Sequence, residues 1–210
     1  VAKLPAPPPR GALAARLTPR IKSLARGTVL WRIYHRGGAH PAAWNRYRHF
    51  GPVPTMRFDH HSLPAREQSR GIVYAALRVY TCFAEMFQET RTIERHRGGP
   101  CLAGLELARS VALLDLRGTW PTRAGASMAL SSGRRDRARA WSARIYADYP
   151  EVEGLCYPSS MDGNQPAVAL YERAQDALPA RPLFHRALAD PALDAAVAKA
   201  ALLFNYAVEP

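Results

Sequence analysis

The sequence contains no acidic residue before Asp59. Residues 1–58 hold eleven Lys or Arg and not one Asp or Glu, whereas residues 59–210 hold eighteen basic and seventeen acidic residues. The front therefore carries all but one unit of the net charge of +12. This asymmetry points to an anionic partner near the front of the fold, or to a basic flank that keeps the chain soluble. Cysteine is scarce: Cys82, Cys101 and Cys156 are odd in number and widely spaced, with no C-x-x-C. That fits free thiols in a reducing cytosol better than a disulfide framework or a zinc site. No apolar run reaches the roughly 20 residues that cross a bilayer, so a soluble, cytoplasmic protein is expected. The sequence also lacks G-x-G-x-x-G after a strand, a P-loop, H-E-x-x-H and G-x-S-x-G. The common nucleotide, zinc-protease and serine-hydrolase signatures are thereby excluded.

What is present suffices for one folded domain. Of 210 residues, 48% are hydrophobic, enough to bury a real core. Residues 1–27 read as a separate basic extension: four prolines in the first nine residues predict a disordered or polyproline tail, and 11–26 a short helix interrupted at Pro19. Such an Arg-rich stretch without acids is also similar to an organelle transit peptide, although it lacks the serines. "TVLWRIYH" (28–35) is rich in β-formers and reads as a strand, and the proline-broken stretch 41–70 as a long loop. "GIVYAAL" (71–77) predicts a strand, and a helix capped by Thr81 should follow to Arg95, packing through Phe83, Met86, Phe87 and Thr90. Residues 101–108, 111–116, 154–158 and 167–172 read as strands, and 133–149 as a helix packed through Trp141, Ile145 and Tyr149. A last helix is expected after the Asp190-Pro191 cap, with Leu193, Val197 and Leu203 inward. Strands and helices that do not alternate regularly give an α+β fold: a single domain over 28–210, with mainly antiparallel sheets flanked by helices.

Individual side chains say little alone. His60-His61 is a weak hint of a metal site, and no metal is expected. Arg134, Arg135, Arg137 and Arg139 read most simply as one exposed helix face. Taken singly, Tyr74 is a core tyrosine, Glu85 a solvated helix residue, Arg57 a loop charge and Ser159 a turn residue. Glu85 does, however, fall off the Phe83/Met86/Phe87 face, so the core does not require it.

Read together, "TVLWRIYH", "MRFDHH", "GIVYAALRVYTCFAEM" and "EGLCYPSS" place an Arg after a loop, a Tyr ending an apolar strand, a Glu eleven residues on, and a Ser in a turn. This order resembles the RES domain, the toxin half of RES–Xre toxin–antitoxin pairs, over roughly residues 28–175. The resemblance implies an ADP-ribosyltransferase-like fold and an enzyme that consumes NAD+ as its substrate, by phosphorolysis with inorganic phosphate or by hydrolysis. It implies no bound prosthetic group. It assigns the motif residues to Arg57, Tyr74, Glu85 and Ser159, with Ser160 as the alternative serine, and adds Arg32 from the opening strand. On this likeness Glu85 would steady the cationic ribose, Arg57 and Arg32 would hold pyrophosphate or phosphate, and Tyr74 would meet nicotinamide or ribose. Ser159 would hydrogen-bond the substrate rather than attack it. An Xre-type antitoxin covering the active site, a homodimer within a larger complex, and DNA contact only through the antitoxin are the implied partnerships. Transfer of ADP-ribose to a protein is the alternative within this chemistry. A basic nucleic-acid-binding module without activity is the alternative outside it.

Overall fold

A computed structural model describes residues 3–209. In chain order the strands are β1 (Ile21–Leu24), β2 (Val29–His35), β3 (Arg48–Gly51) and β4 (Arg66–Ala76), followed by helix α1 (Val79–Met86). Next come β5 (Thr92–Ile93), β6 (Pro100–Glu106) and β7 (Val111–Asp115), then α2 (Trp120–Arg123), α3 (Ala129–Ser132) and α4 (Arg135–Asp148). The chain ends with β8 (Gly154–Pro158), β9 (Pro166–Tyr171), β10 (Phe184–Ala187), α5 (Asp194–Phe204) and β11 (Ala207–Val208). Among the described residues the main sheet has nine strands in the order β1-β7-β8-β9-β4-β2-β6-β10, with β3 on β4. Only β7 and β8 run parallel within it; the other pairs are antiparallel. The fold is α+β with a mainly antiparallel sheet, as expected. None of the described helices is long and apolar enough to cross a membrane.

Why these segments pair is legible in their side chains. β2 and β6 pair over seven residues, with Leu30, Tyr34 and Leu105 buried on one face and Ile33 and Leu102 on the other. Gly154 opens β8 because a Cβ there would sit 2.5 Å from the carbonyl oxygen of Ala169, closer than any side chain tolerates. On one face of the sheet, Ile72, Leu155, Ala169 and Tyr171 pack under Trp141 and Ile145 of α4. Farther along that face, Ile33, Ala76 and Leu102 pack under Phe83 of α1, Phe87 just past its end and Val197 of α5. The opposite face, with Leu30, Tyr34, Val73, Leu105 and Leu170, forms a third cluster. Each fully buried side chain of this size contributes about 1.5–3 kcal/mol.

The N-terminal segment departs from the expected tail. Leu13 and Leu17 are buried, and Pro5 accepts a 2.9 Å hydrogen bond from Trp141 Nε1. Asp148, at the end of α4, accepts the backbone N–H groups of Gly11 (2.9 Å) and Leu13 (3.1 Å). Residues 21–24 then extend the sheet beside β7. Proline removed backbone donors from this stretch, but its leucines had a hydrophobic groove to fill, and burial decided the outcome. Three other expectations change. The 41–70 stretch contains β3 and the first residues of β4. Helix α1 begins before Thr81, whose hydroxyl instead donates to Asp162 at 2.6 Å. On α5 the inward side chains include Val197 and Ala200, while Leu203 is exposed.

Candidate active site

The two apolar clusters on the shared face leave a seam above β4. Tyr74 stands at this seam because it lies between Ile72 and Ala76 on the same face of the strand. Its hydroxyl accepts the backbone N–H of Phe58 at 3.1 Å. That contact ties the strand to the residue next to Arg57. Arg57 Nη1 in turn donates to the carbonyl oxygen of Gly133 at 2.5 Å, just before α4. The loop that carries Arg57 is also held by Arg139, which donates to the carbonyl of Pro54 at 2.6 Å.

Glu85 approaches the seam from α1. Its Oε1 accepts the Ser159 hydroxyl at 2.5 Å. Ser159 follows β8 and is fully buried, and its Oγ also accepts the N–H groups of Met161 (3.2 Å) and Asp162 (3.1 Å). Those two donors orient the hydroxyl so that its proton points to the carboxylate. The neighbouring Ser160 is exposed and makes no such bond, which separates the two serines that the sequence left open. Ser159 is thus brought to Glu85 directly.

The electrostatics of this group are uneven. Burial pushes the Glu85 carboxyl above its ordinary value, and the nearby Asp162 adds to the rise, while Ser159, Arg57 and Arg135 oppose it. Burial likewise lowers the Arg57 guanidinium, helped by repulsion from Arg135, with Glu85 counteracting. Two guanidinium charges acting on one half-buried carboxylate are an arrangement suited to anionic oxygens next to a developing cation. Burial raises the Tyr74 and Tyr157 phenols, so both stay neutral donors or acceptors at ordinary pH.

Of the five residues singled out in the sequence, Arg57, Tyr74, Glu85 and Ser159 are therefore brought to one seam. Arg32 is not joined to them by any hydrogen bond or ion pair among the described residues. Trp31 pairs with Ala76, so Arg32 projects from the opposite face. There its Nη1 donates to the carbonyls of Trp44 and Arg46, both at 3.2 Å, and its guanidinium lies 5.8 Å from the Tyr34 ring. Burial lowers it to about 10. Its visible work is to pin the loop after β2.

Sequence reasoning missed Arg135 and Tyr157. Arg135 was expected on an exposed helix face, yet it pairs with Glu89 at 3.1 Å and stands close enough to shift both Arg57 and Glu85. Tyr157 is buried with its ring 4.6 Å from that of Phe58. Its position two residues after Leu155, on the same face of a short strand, was the signal that could have placed it on the Tyr74 face. His60 and His61 are buried in separate bonds, His60 to Glu172 at 3.3 Å and His61 to Asp59. Among the described residues no group of three or more His, Cys, Asp or Glu side chains could hold a metal ion.

Comparison with known proteins agrees with this architecture. No curated protein matches the sequence. A chain of the crystal structure of the M. tuberculosis MbcT–MbcA toxin–antitoxin complex superposes with a TM-score of 0.56 at 14% identity, covering 87% of this chain and 92% of that one. At that identity the likeness shows a shared fold. The sequence model of the RES domain matches residues 29–194, from β2 to the start of α5 and across every residue of the seam. The chain belongs to the RES domain family.

Proposed function

We propose that this protein is the toxin of a toxin–antitoxin pair and that it destroys NAD+ by cleaving the nicotinamide–ribose bond. The observation that carries the reading is the Glu85–Ser159 bond at the seam, with Arg57 beside it, in a RES domain. As the bond breaks, nicotinamide leaves with the electron pair and the ribose carbon gains oxocarbenium character. An ionised Glu85 then stabilises charge that exists mainly in the transition state. Ser159 fixes the carboxylate in place and needs no base of its own, because it does not attack. Carboxylates stand beside such cations in glycosidases for the same physical reason.

Arg57 holds the substrate pyrophosphate or an incoming phosphate through its fork of donors. In phosphorolysis a phosphate oxygen forms the new bond to the ribose carbon, giving ADP-ribose 1-phosphate and nicotinamide. In hydrolysis water takes that place, releasing ADP-ribose and a proton. Tyr74 keeps the Arg57 loop in register through Phe58 and offers its ring to the substrate. Arg32, on the other face, serves the loop after β2. An Xre-type antitoxin masks the entrance, a partnership supported by the likeness to a chain from a toxin–antitoxin complex.

Incubating the purified chain with NAD+ and inorganic phosphate tests this reading. ADP-ribose 1-phosphate as the product supports phosphorolysis, and free ADP-ribose irrespective of phosphate supports hydrolysis. NAD+ left intact by the pure, folded chain contradicts the proposal.

A further inference from the structure

At the other end of β4, four arginines from distant parts of the sequence meet around one cavity. The cavity has a volume of about 390 Å³, and Arg10, Arg70, Arg144 and Arg173 line it. Arg70 precedes Tyr74 by four residues on the same strand, so the cavity lies roughly 13 Å along β4 from the candidate active site. Two of the guanidinium groups sit over the ring of Tyr146, Arg173 at 3.8 Å and Arg70 at 4.8 Å from its centroid.

The local carboxylates do not neutralise this cluster. Asp148 is committed to the backbone N–H groups of Gly11 and Leu13, and it reaches Arg144 only at 3.7 Å. Glu172 accepts from Gly71 N–H at 2.8 Å and from the Tyr146 hydroxyl at 2.5 Å, with His60 at 3.3 Å. Two carboxylates against four guanidinium groups leave two positive charges in excess. Donors are also in excess. Arg173 spends its Nη groups on the carbonyls of Tyr146, Tyr149 and Val152, and Arg70 one Nη on His60. The buried Nε of Arg144 has no hydrogen-bond partner among the described residues. A buried donor without an acceptor forfeits its bond to water and gains none in return, so a fold seldom keeps one without use.

We propose that this cavity is a second binding site, distinct from the Glu85 seam, for a phosphate-bearing ligand. Guanidinium groups match phosphate oxygens in both charge and fork geometry. The cavity has room for a phosphorylated small molecule, and the phosphate of a polynucleotide backbone offers the same chemistry. The two sources differ in what else binds, so both are tried. The proposal rests on the arginines alone and holds whatever reaction the seam performs.

The test is calorimetric titration of the full chain with pyrophosphate at low ionic strength, alongside a short DNA duplex. The variants are Ala143→Glu, which puts a carboxylate on the cavity wall, and Arg10→Glu, at an exposed position. Saturable pyrophosphate binding, weakened at least tenfold by each variant, is expected, with unchanged thermal melts and circular dichroism showing that the fold is intact. The same binding should persist in Arg57→Ala, which removes the seam's guanidinium. Duplex binding with the same sensitivity to both variants assigns the phosphate to a nucleic acid. No saturable binding of either probe overturns the proposal, as does binding that neither variant weakens.

Discussion

Glu85 and Glu172 occupy the two ends of one sheet face and are treated in opposite ways. Glu172 is surrounded by donors: burial alone would raise it, but His60, the Gly71 N–H and Tyr146 together hold it down to about 2. Asp59 behaves alike, held to about 2 against burial by His61, the Val53 N–H and Arg48. Glu85 has one strong donor, Ser159, and burial wins, so its carboxyl rises. Saturated carboxylates of the first kind stabilise a fold. A carboxylate left short of partners in a seam is held at a cost in stability, which is the mark of a group kept for chemistry.

The largest expected difference between the two ends is in activity. Glu85→Gln keeps an acceptor for Ser159 but removes the charge, and NAD+ consumption should fall by about 10²–10³-fold. The same variant should be at least as stable as the wild type near neutral pH. A carboxyl whose folded pKa is raised favours the folded state below the unfolded value and disfavours it as pH rises through the folded value. Thermal melts of the two proteins side by side check this pairing of lost activity with kept stability.

Glu172→Gln should do the reverse. Its lowered pKa corresponds to about 2–3 kcal/mol of stability, present above about pH 4.5 and lost as pH falls toward 2. The variant should unfold at lower denaturant concentration, yet keep NAD+ turnover per folded molecule. Asp59 adds a loss of the same sign over about pH 4 to 2. His60, lowered by burial to about 4, adds one that begins near pH 6.5 as the unfolded state takes up its proton. Denaturant melts of the wild type should therefore show stability falling from about pH 6.5 downward.

A smaller effect sharpens the role of Ser159. Its bond lowers the Glu85 pKa, so Ser159→Ala should move the acid limb of the pH–activity profile upward and reduce turnover by about tenfold. An unmoved limb with reduced turnover would make Ser159 a packing residue. The smallest effect is Tyr74→Phe, which leaves the Phe58 N–H without its acceptor. It should cost about 1 kcal/mol by denaturant melt and lower turnover a few-fold through the Arg57 loop.

How much of this was legible in the sequence depended on which physical force decided each element. Strands β2, β6, β7, β8 and β9 and helix α4 carry their own apolar patterns, and the sequence marks all of them. The stretch around Pro5, Gly11 and Leu13, read as a tail followed by a short helix, is held by Trp141 and Asp148 more than a hundred residues away. No local pattern reveals such partners. The front half of β4, "REQSR", is polar because Arg66, Glu67 and Ser69 are exposed while Gln68 and Arg70 make polar contacts, so it reads as loop. At the site, the order of Arg57, Tyr74, Glu85 and Ser159 pointed to residues that the fold does gather. Arg32 went to the other face because register, fixed by the Trp31–Ala76 pair, decides what alternation alone leaves open. Arg135 was hidden in an arginine-rich stretch whose members look identical until α4 is docked.

The central claim is that the carboxylate left short of partners, and not the saturated one, performs the chemistry. Its most direct test is NAD+ consumption by purified wild type, Glu85→Gln and Glu172→Gln near neutral pH, normalised to folded protein. The account predicts that Glu85→Gln loses activity while remaining folded and that Glu172→Gln retains activity despite its lower stability. Unchanged NAD+ consumption by folded Glu85→Gln would contradict it.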